Sequence, residues 1–375
     1  MKAYQFRLNP SHHQRTLLLK TLDTCRWVYN ETLAIRKNTW QQEKKTLSLY
    51  ETNKLLTGWK VEKPELIDVH SQVLQNVQAR VDLAFQGFFR RVKAGLTPGY
   101  PRFRGRGRYD SFTFKQSGFT ICENKLLLSK IGPVKIVLHR PMEGQVKTLT
   151  VRREAVGNWY ACFSCEVPDH PLSICETAVG VDVELESFIT LSNGEKVANP
   201  RFFRKDEQAL AKAQRRLSKA EKGTPERTKH RKVVAHIHHR IANRRKNFAH
   251  QLSRQLVNND GVIIIEKLNE QGMMQNHHLA KSIGGAAWGQ LIQYSMYKAV
   301  DAGRVVVLVD PKGTSQRCSR CGMVVHKSLS VRVHDCPTCG LKIDRDENAA
   351  LNILALGLES LGTIRRSHAA FAAVE

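Results

Sequence analysis

Acidic residues are scarce in this chain of 375: 34 Asp and Glu stand against 59 Lys and Arg, for a formal net charge of +25. The isoelectric point is near 9.9. Solubility needs far less than this, so the natural partner is a polyanion, nucleic acid first and an anionic membrane second. Long apolar runs are also missing, and none reaches the length of a spanning helix, which excludes a helical membrane protein. No signal-peptide pattern is read at the first residues. Cysteine is sparse, with nine residues, and the five outside one spaced set (Cys25, Cys122, Cys162, Cys165 and Cys175) are an odd number. That excludes a disulfide framework and fits a reducing cytoplasm. The length exceeds one compact core and predicts several domains.

The spaced set is the most informative stretch. Cys318-Ser-Arg-Cys321 is followed by 14 residues and then by Cys336-Pro-Thr-Cys339. Two such knuckles can set four thiolates around one tetrahedral Zn²⁺, and Gly322 and Gly340 let the backbone turn after each. The gap is one residue short of the usual ribbon range, in the part of the pattern where length matters least. Cys162-x-x-Cys165 differs, because it lies in an alternating run from Trp159 to Val167 that points its two thiols to opposite sheet faces. Directly after the ribbon, Asp344-Arg-Asp346-Glu-Asn-Ala-Ala-Leu-Asn-Ile353 opens a helix. A carboxylate there either caps the helix or holds a metal.

Upstream, residues 2–8 alternate as a strand that Asn9-Pro10-Ser11 ends, and a basic helical pattern runs from His12 to Lys45. Leu74, Val77, Val81, Phe85 and Phe88 mark a second helix. Gln72 and Asn76, four apart on another face, carry amides of the kind that read adenine edges. The run Gly99–Tyr109 interleaves Arg102, Arg104, Arg106 and Arg108 with aromatics and glycines, a pattern for phosphate and base contact. Short alternating runs between 111 and 167 predict a small antiparallel β-barrel that strand 2–8 can join.

A composition shift at Pro168–Glu176 marks a boundary. Beyond it come a buried strand, Ala178–Val183 with Asp182 inside, and a hairpin partner, Ser187–Leu191. Residues 203–258 form a basic helical stretch with a break at Gly223-Thr-Pro225. Its Arg215, Arg216, Arg244 and Arg245, among many cations, meet little acidic opposition, which predicts phosphate contact. Gly261–Glu266 is a second buried strand ending on an acid. A helix over 284–302 and a third buried strand over 304–309 precede the ribbon.

Carboxylates on buried strands are costly unless paired or metal-bound. In a ribonuclease-H-like sheet, the places of Asp182, Glu266 and Asp346 converge on one edge. There, two Mg²⁺ about 3.5–4 Å apart can activate water and stabilise a leaving oxygen. Asp344 competes for the third place; Asp346 is preferred because it stands directly before Asn-Ala-Ala.

Taken together, the chain resembles the transposon-encoded TnpB family, RNA-guided nucleases related to type V CRISPR effectors. The resemblance rests on the amino-terminal strand and helix, Phe88-Phe-Arg-Arg-Val-Lys with Tyr100-Pro-Arg-Phe, Gly180-Val-Asp182, Ile264-Ile-Glu266, the four ribbon cysteines, and Asp346-x-Asn-Ala-Ala-x-Asn-Ile. It implies a multidomain α/β plus β-barrel protein with a RuvC-type, ribonuclease-H-like core. A wedge barrel is expected at 1–10 and 99–170, and a helical recognition domain at 11–98. The core is expected at 171–313 and 342–375, with a zinc ribbon inserted at 314–341. It further implies a monomer with a guide RNA that cuts DNA beside a short flanking motif with Mg²⁺, in a prokaryotic cytoplasm at the nucleoid. Such families usually carry glycine two residues after the first Asp, whereas this chain has Glu184. A guided DNA-binding protein with weak or no cleavage is therefore the alternative, and a transposase with the same sheet is a third reading.

Overall fold

Ser11 stops the first strand and starts the first helix. Its hydroxyl accepts from the Gln14 N–H at 3.3 Å while the Gln14 side chain accepts from the Ser11 N–H at 2.9 Å, satisfying two donors that helix geometry leaves open. The structure, a computed structural model, describes residues 1–168, 171–328 and 330–372, in two units, Met1–Pro168 and Asp169–Glu375. None of the described helices is long and apolar enough to cross a membrane.

The first unit begins with β1 (Lys2–Asn9), α1 (His12–Glu43), α2 (Leu49–Glu62) and α3 (Ser71–Lys93). It continues with β2 (Ser111–Phe114), β3 (Phe119–Cys122), β4 (Lys125–Leu128), β5 (Gly132–Val137), β6 (Gln145–Arg153) and β7 (Trp159–Glu166). The strands form one antiparallel sheet in the order β2-β6-β7-β1-β5-β4-β3, so the expected joining of strand 2–8 occurs at its centre. The edge strands β2 and β3 approach through Phe114 and Phe119, whose ring centroids lie 6.2 Å apart, and the sheet is nearly closed and barrel-like. Along β7, Trp159, Ala161, Phe163 and Cys165 point inward and are buried while Cys162 is not. This is the opposed arrangement that alternation predicts for that cysteine pair. Helix α2, started by a Ser48–Glu51 capping box, escaped the sequence reading because its buried face is short: Thr52, Leu56 and Trp59.

The second unit opens with β8 (Ala178–Val183), β9 (Ser187–Leu191), β10 (Lys196–Ala198), α4 (Phe202–Lys219) and α5 (Pro225–Asn259). Then come β11 (Val262–Glu266), α6 (Glu270–Met273), α7 (His277–Ala286), α8 (Trp288–Ala302) and β12 (Val305–Val309). The hairpin β13 (Val333–Asp335) and β14 (Lys342–Asp344) leads into α9 (Arg345–Ala372). The main sheet runs β10-β9-β8-β11-β12, with β11 parallel to both β8 and β12. Parallel strands are covered on both faces, and β11 shows how. Ile263 and Ile265 pack with Leu252 and Leu256 of α5 and Leu291 of α8, while Ile264 packs with Ile353 of α9. Helix α9 lies so close that a Cβ on Gly180 would run into the Ala350 carbonyl, which requires glycine at that point of β8.

The expected break in the basic stretch is present: the stretch is two helices, separated where Thr224 caps α5 by accepting from Arg227 N–H and Pro225 takes its first turn. Two other expectations are corrected in detail. The helix over 284–302 is also two, because Ala287 has left-handed φ 56° between α7 and α8. The strand over 304–309 is not fully buried. As β12 it is the edge of the sheet, paired only with β11, and Val305 and Leu308 are exposed.

Candidate functional site

The register Ile265↔Val181 between β11 and β8 puts the next positions, Glu266 and Asp182, side by side at the ends of neighbouring parallel strands. The Glu266 carboxylate accepts the Val183 N–H at 3.3 Å. Asp346, in the first turn of α9, comes over the same edge because α9 packs on Gly180. Exposure is 9% for Asp182, 6% for Glu266 and 5% for Asp346, too little for water to solvate three charges. Burial first, then repulsion from Glu266, Asp346 and Glu184, pushes the Asp182 carboxyl well above its usual range. Burial raises Glu266 to about 7 against the lowering effect of the Val183 N–H. Groups in this state are satisfied by protons or by cations.

Asp346 is engaged by two arginines: Arg345 Nη2 lies 2.9 Å and Arg332 Nη1 3.4 Å from its oxygens. The three carboxylates do not close to the 4.8 Å mutual spacing that the four ribbon cysteines reach among the described residues. Asp344 has a different task. Its Oδ1 accepts from the N–H groups of Asp346 and Glu347 at 3.0 and 3.2 Å, and its other oxygen pairs with Lys196 at 2.8 Å. It caps α9, and Asp346 is the one turned to the carboxylate pair. Glu184 adds a fourth acid: its Oε1 accepts from the Thr190 hydroxyl at 2.7 Å, Arg332 stands 3.7 Å away, and Arg332 also pairs with Glu186. Burial and then Asp346 raise the Glu184 carboxyl, against the lowering contact of Thr190.

In the ribbon, Cys318 and Cys339 sulfurs are 3.6 Å apart, as are those of Cys321 and Cys336. Zinc–sulfur bonds of about 2.3 Å in a tetrahedron require sulfur pairs about 3.8 Å apart, so the donor set fits zinc. Gly322 and Gly340 have φ 76° and 70° and donate to the carbonyls of Cys318 and Cys336, each at 2.9 Å. Backbone donation from Cys339 leads the effects that lower the Cys336 thiol to about 6, where the thiolate form that binds metal dominates.

The predicted nucleic-acid residues separate into those that are exposed, Arg104 with its guanidinium 5.5 Å from the Tyr29 ring centroid, and those engaged in hydrogen bonds or ion pairs. In the first unit Arg102, Arg104, Arg106 and Arg108 are exposed, on a loop held at Arg104, whose N–H and carbonyl both bond the Asn30 amide at 2.8 and 3.0 Å. On α3, Gln72 and Asn76 are half-buried, and their amide oxygens are engaged within the chain. Gln72 Oε1 accepts from the N–H groups of Gln116 and Ser117 at 3.3 and 3.2 Å, and Asn76 Oδ1 accepts from Arg80 at 3.1 Å. In the second unit Arg215 and Arg216 are exposed. Arg244 shares the buried Asp206 with Arg240 at 3.2 and 2.6 Å, and Arg245 donates to the Gly284 carbonyl at 2.6 Å. Packing of α4 and α7 against α5 recruits these two for internal bonds. Sequence reasoning missed Arg332, Arg345, Asn348 and Asn352. The only available signal was the pair of amides four apart in an apolar helix.

A cleft of about 600 Å³ adjoins the site, lined by Glu186, Arg201, Arg204, Lys281 and Arg332 among others. Arg201 holds left-handed φ 45° at the start of α4, a conformation that costs a non-glycine residue roughly 1–3 kcal/mol.

Residues 288–353 match the family described as Cas12f1-like, TNB domain, and residues 162–277 the family described as probable transposase. Residues 1–45 match a helix-turn-helix domain, although here they form one strand and one long helix. A relative from Streptomyces pristinaespiralis, named "Putative RNA-guided DNA endonuclease", is 37% identical over 95% of this chain and 89% of its own length. InsQ of Escherichia coli (strain K12), named in the same words, is 30% identical over 95% of this chain and 92% of its own. The fold is similar to that of Cas12f1 in its complex with sgRNA and target DNA, with a TM-score of 0.59 at 15% identity over 92% of this chain and 83% of that one. With relatives this similar along nearly its whole length, the chain belongs to the TnpB family.

Proposed function

We propose that this protein is an RNA-guided DNA endonuclease encoded by a transposon, which hydrolyses target DNA next to a short flanking motif through a RuvC-type, two-metal centre. What supports the reading most is that Asp182, Glu266 and Asp346 stand buried at one sheet edge in a TnpB-family chain. Bound Mg²⁺ would be held by these three and would supply an activated water and charge stabilisation at the leaving oxygen. The protein's own part is to exclude bulk water from the carboxylates, to hold Glu266 through Val183 N–H, and to bring Asp346 over the edge on α9. Zn²⁺ is assigned to Cys318, Cys321, Cys336 and Cys339. The domain layout expected from the sequence is retained as part of the proposal, as are guide RNA and target DNA as partners of a monomer at the nucleoid. The tail beyond Ala372 lies outside the described residues.

Nucleic acid is assigned first to Arg102–Arg108. From Leu83 to Tyr109 the chain has no acidic residue, and Phe89 and Phe103 are more than half exposed beside the arginines, suiting phosphate contact with base stacking. Glutamine at Arg102, Arg104, Arg106 and Arg108 together should weaken nucleic-acid binding whatever the sequence. It should also flatten the salt dependence by roughly 0.7–0.9 in log–log slope for each lost contact. An unchanged slope would return these arginines to solvent. Arg215 and Arg216 are assigned to phosphate contact likewise, and Arg244 and Arg245 contribute field while braced internally. Gln72 and Asn76 are kept as readers of the flanking motif through their amide N–H groups, since their oxygens are engaged.

Glu184 supports a second reading, a guided DNA-binding protein with little cleavage, because its carboxyl adds a further charge beside Asp346. One experiment separates the two. The protein is purified with co-expressed RNA, the RNA is sequenced, and a plasmid library carrying the matching target with randomised flanks is challenged. Cuts confined to plasmids with one flanking motif are expected. Retention of those plasmids without cuts would select the second reading, and cutting independent of the RNA would sink both.

A further inference from the structure

Where α9 meets the ribbon, it buries two amides in an otherwise apolar stretch, Asn348 at 0% and Asn352 at 7% exposure. Asn348 Nδ2 donates to the Arg317 carbonyl at 2.8 Å, and its Oδ1 accepts from the Ser319 N–H at 2.9 Å. One side chain thus clasps both peptide groups that flank Cys318. Asn352, one turn later on the same face, donates to the Thr314 and Arg317 carbonyls at 2.8 and 2.7 Å.

Burying an amide is unfavourable unless its partners are met with good geometry. Alanine or leucine would cover the same surface without that demand, but an apolar contact tolerates sliding. Helix geometry makes sliding costly for chemistry, since a shift of one residue turns each side chain by about 100°. Four directed bonds fix the rotation and translation of α9 against the knuckle, and Asp346 lies only two residues before Asn348. On the opposite side of α9, the Gly180 contact fixes its depth on the sheet.

We propose that Asn348, supported by Asn352, is a positioning residue that ties the Cys318 knuckle to Asp346, so that the zinc state of the ribbon is felt at the nuclease centre. The proposal rests on the cation-site reading given above. The ribbon then does more than fold locally: when its knuckle loosens, the helix that carries the third carboxylate loses its register.

The test uses the full chain purified with its RNA and reads zinc content, hydrogen exchange of residues 345–353, and Mn²⁺ affinity by magnetic resonance. Asn348→Ala should keep about one zinc per chain, speed exchange over 345–353, and weaken Mn²⁺ binding about tenfold or more, the size seen when supporting partners of metal ligands are removed. Ser319→Pro deletes the donor from the ribbon side without touching α9. The second knuckle already carries Pro337 at the matching place, and the Cys318 sulfur takes its backbone bonds from Arg320 and Cys321 instead. It should shift exchange and Mn²⁺ affinity in the same direction. Wild-type exchange and Mn²⁺ affinity in both zinc-loaded variants would overturn the proposal. Asp182→Ala, run alongside, keeps the two readings apart: unchanged Mn²⁺ binding there would sink the cation site, while hydrogen exchange still decides the role of Asn348.

Discussion

Asp182→Ala is expected to remove DNA cleavage, by on the order of 10³-fold or more, while guided DNA binding stays within about twofold of wild type. The cleavage term follows from losing a ligand whose metal supplies several kcal/mol of transition-state stabilisation, each 1.4 kcal/mol being about a factor of ten. Binding survives because it is spread over many phosphates and paired bases, none of which meets a carboxylate buried to 9% exposure. Glu266→Gln and Asp346→Asn should behave alike, and withdrawing divalent cations from the wild type should reproduce them. Asp344→Ala separates capping from catalysis. It removes bonds to two N–H groups of α9, costs about 1 kcal/mol of stability, and reduces cleavage only partly. Plasmid cutting and filter binding on the same preparations decide the matter, and normal cutting by the Asp182, Glu266 and Asp346 variants would end the nuclease reading.

Cys318→Ser should be nearly as damaging from a greater distance. Freshly purified wild type is expected to carry about one Zn²⁺ per chain, since four thiolates at this spacing bind zinc with an apparent free energy of about 10–16 kcal/mol at neutral pH. The serine variant should lose that metal, and the ribbon should lose protection from hydrogen exchange. Cleavage should fall by about tenfold or more, because Asn348 holds the peptide groups on both sides of Cys318. The first unit has its own core, built on residues such as Phe6, Phe112 and Phe163, so exchange over residues 1–168 should not change. Metal analysis giving no zinc in the wild type, or full cleavage by a zinc-free variant, would contradict this.

Much of the molecule could be read before any coordinates. Ser11 with Gln14, the alternation around Phe163, the run Ile263–Ile265 and the two cysteine knuckles are local patterns. Each carries its reason within a few residues, as a cap, a period of two, a strand buried on both faces, or a ligand spacing. The break at Thr224-Pro225 was legible for the same cause. What failed was either marginal or non-local. The α2 helix has too small an apolar face to stand out, and Ala287 interrupts a helical pattern with a left-handed residue that no side-chain preference announces.

The site divides along the same line. Sequence alone determined that Asp182, Glu266 and Asp346 are candidates, because an acid beside a buried strand demands compensation wherever the chain goes, and that four cysteines at this spacing suit zinc. The tertiary structure adds that Asp344 caps α9 through the N–H groups of Asp346 and Glu347, while Asp346 stands near enough to Asp182 to raise its carboxyl. It also brought Glu184 beside Asp346 and gave Gln72, Arg244 and Arg245 partners far along the chain. Asn348 changed from a helix residue into a clasp on Cys318. Apart from the local Asp344 cap, these outcomes rest on contacts between residues tens of positions apart, whose geometry is set by how α3, α5 and α9 pack and is carried by no local period.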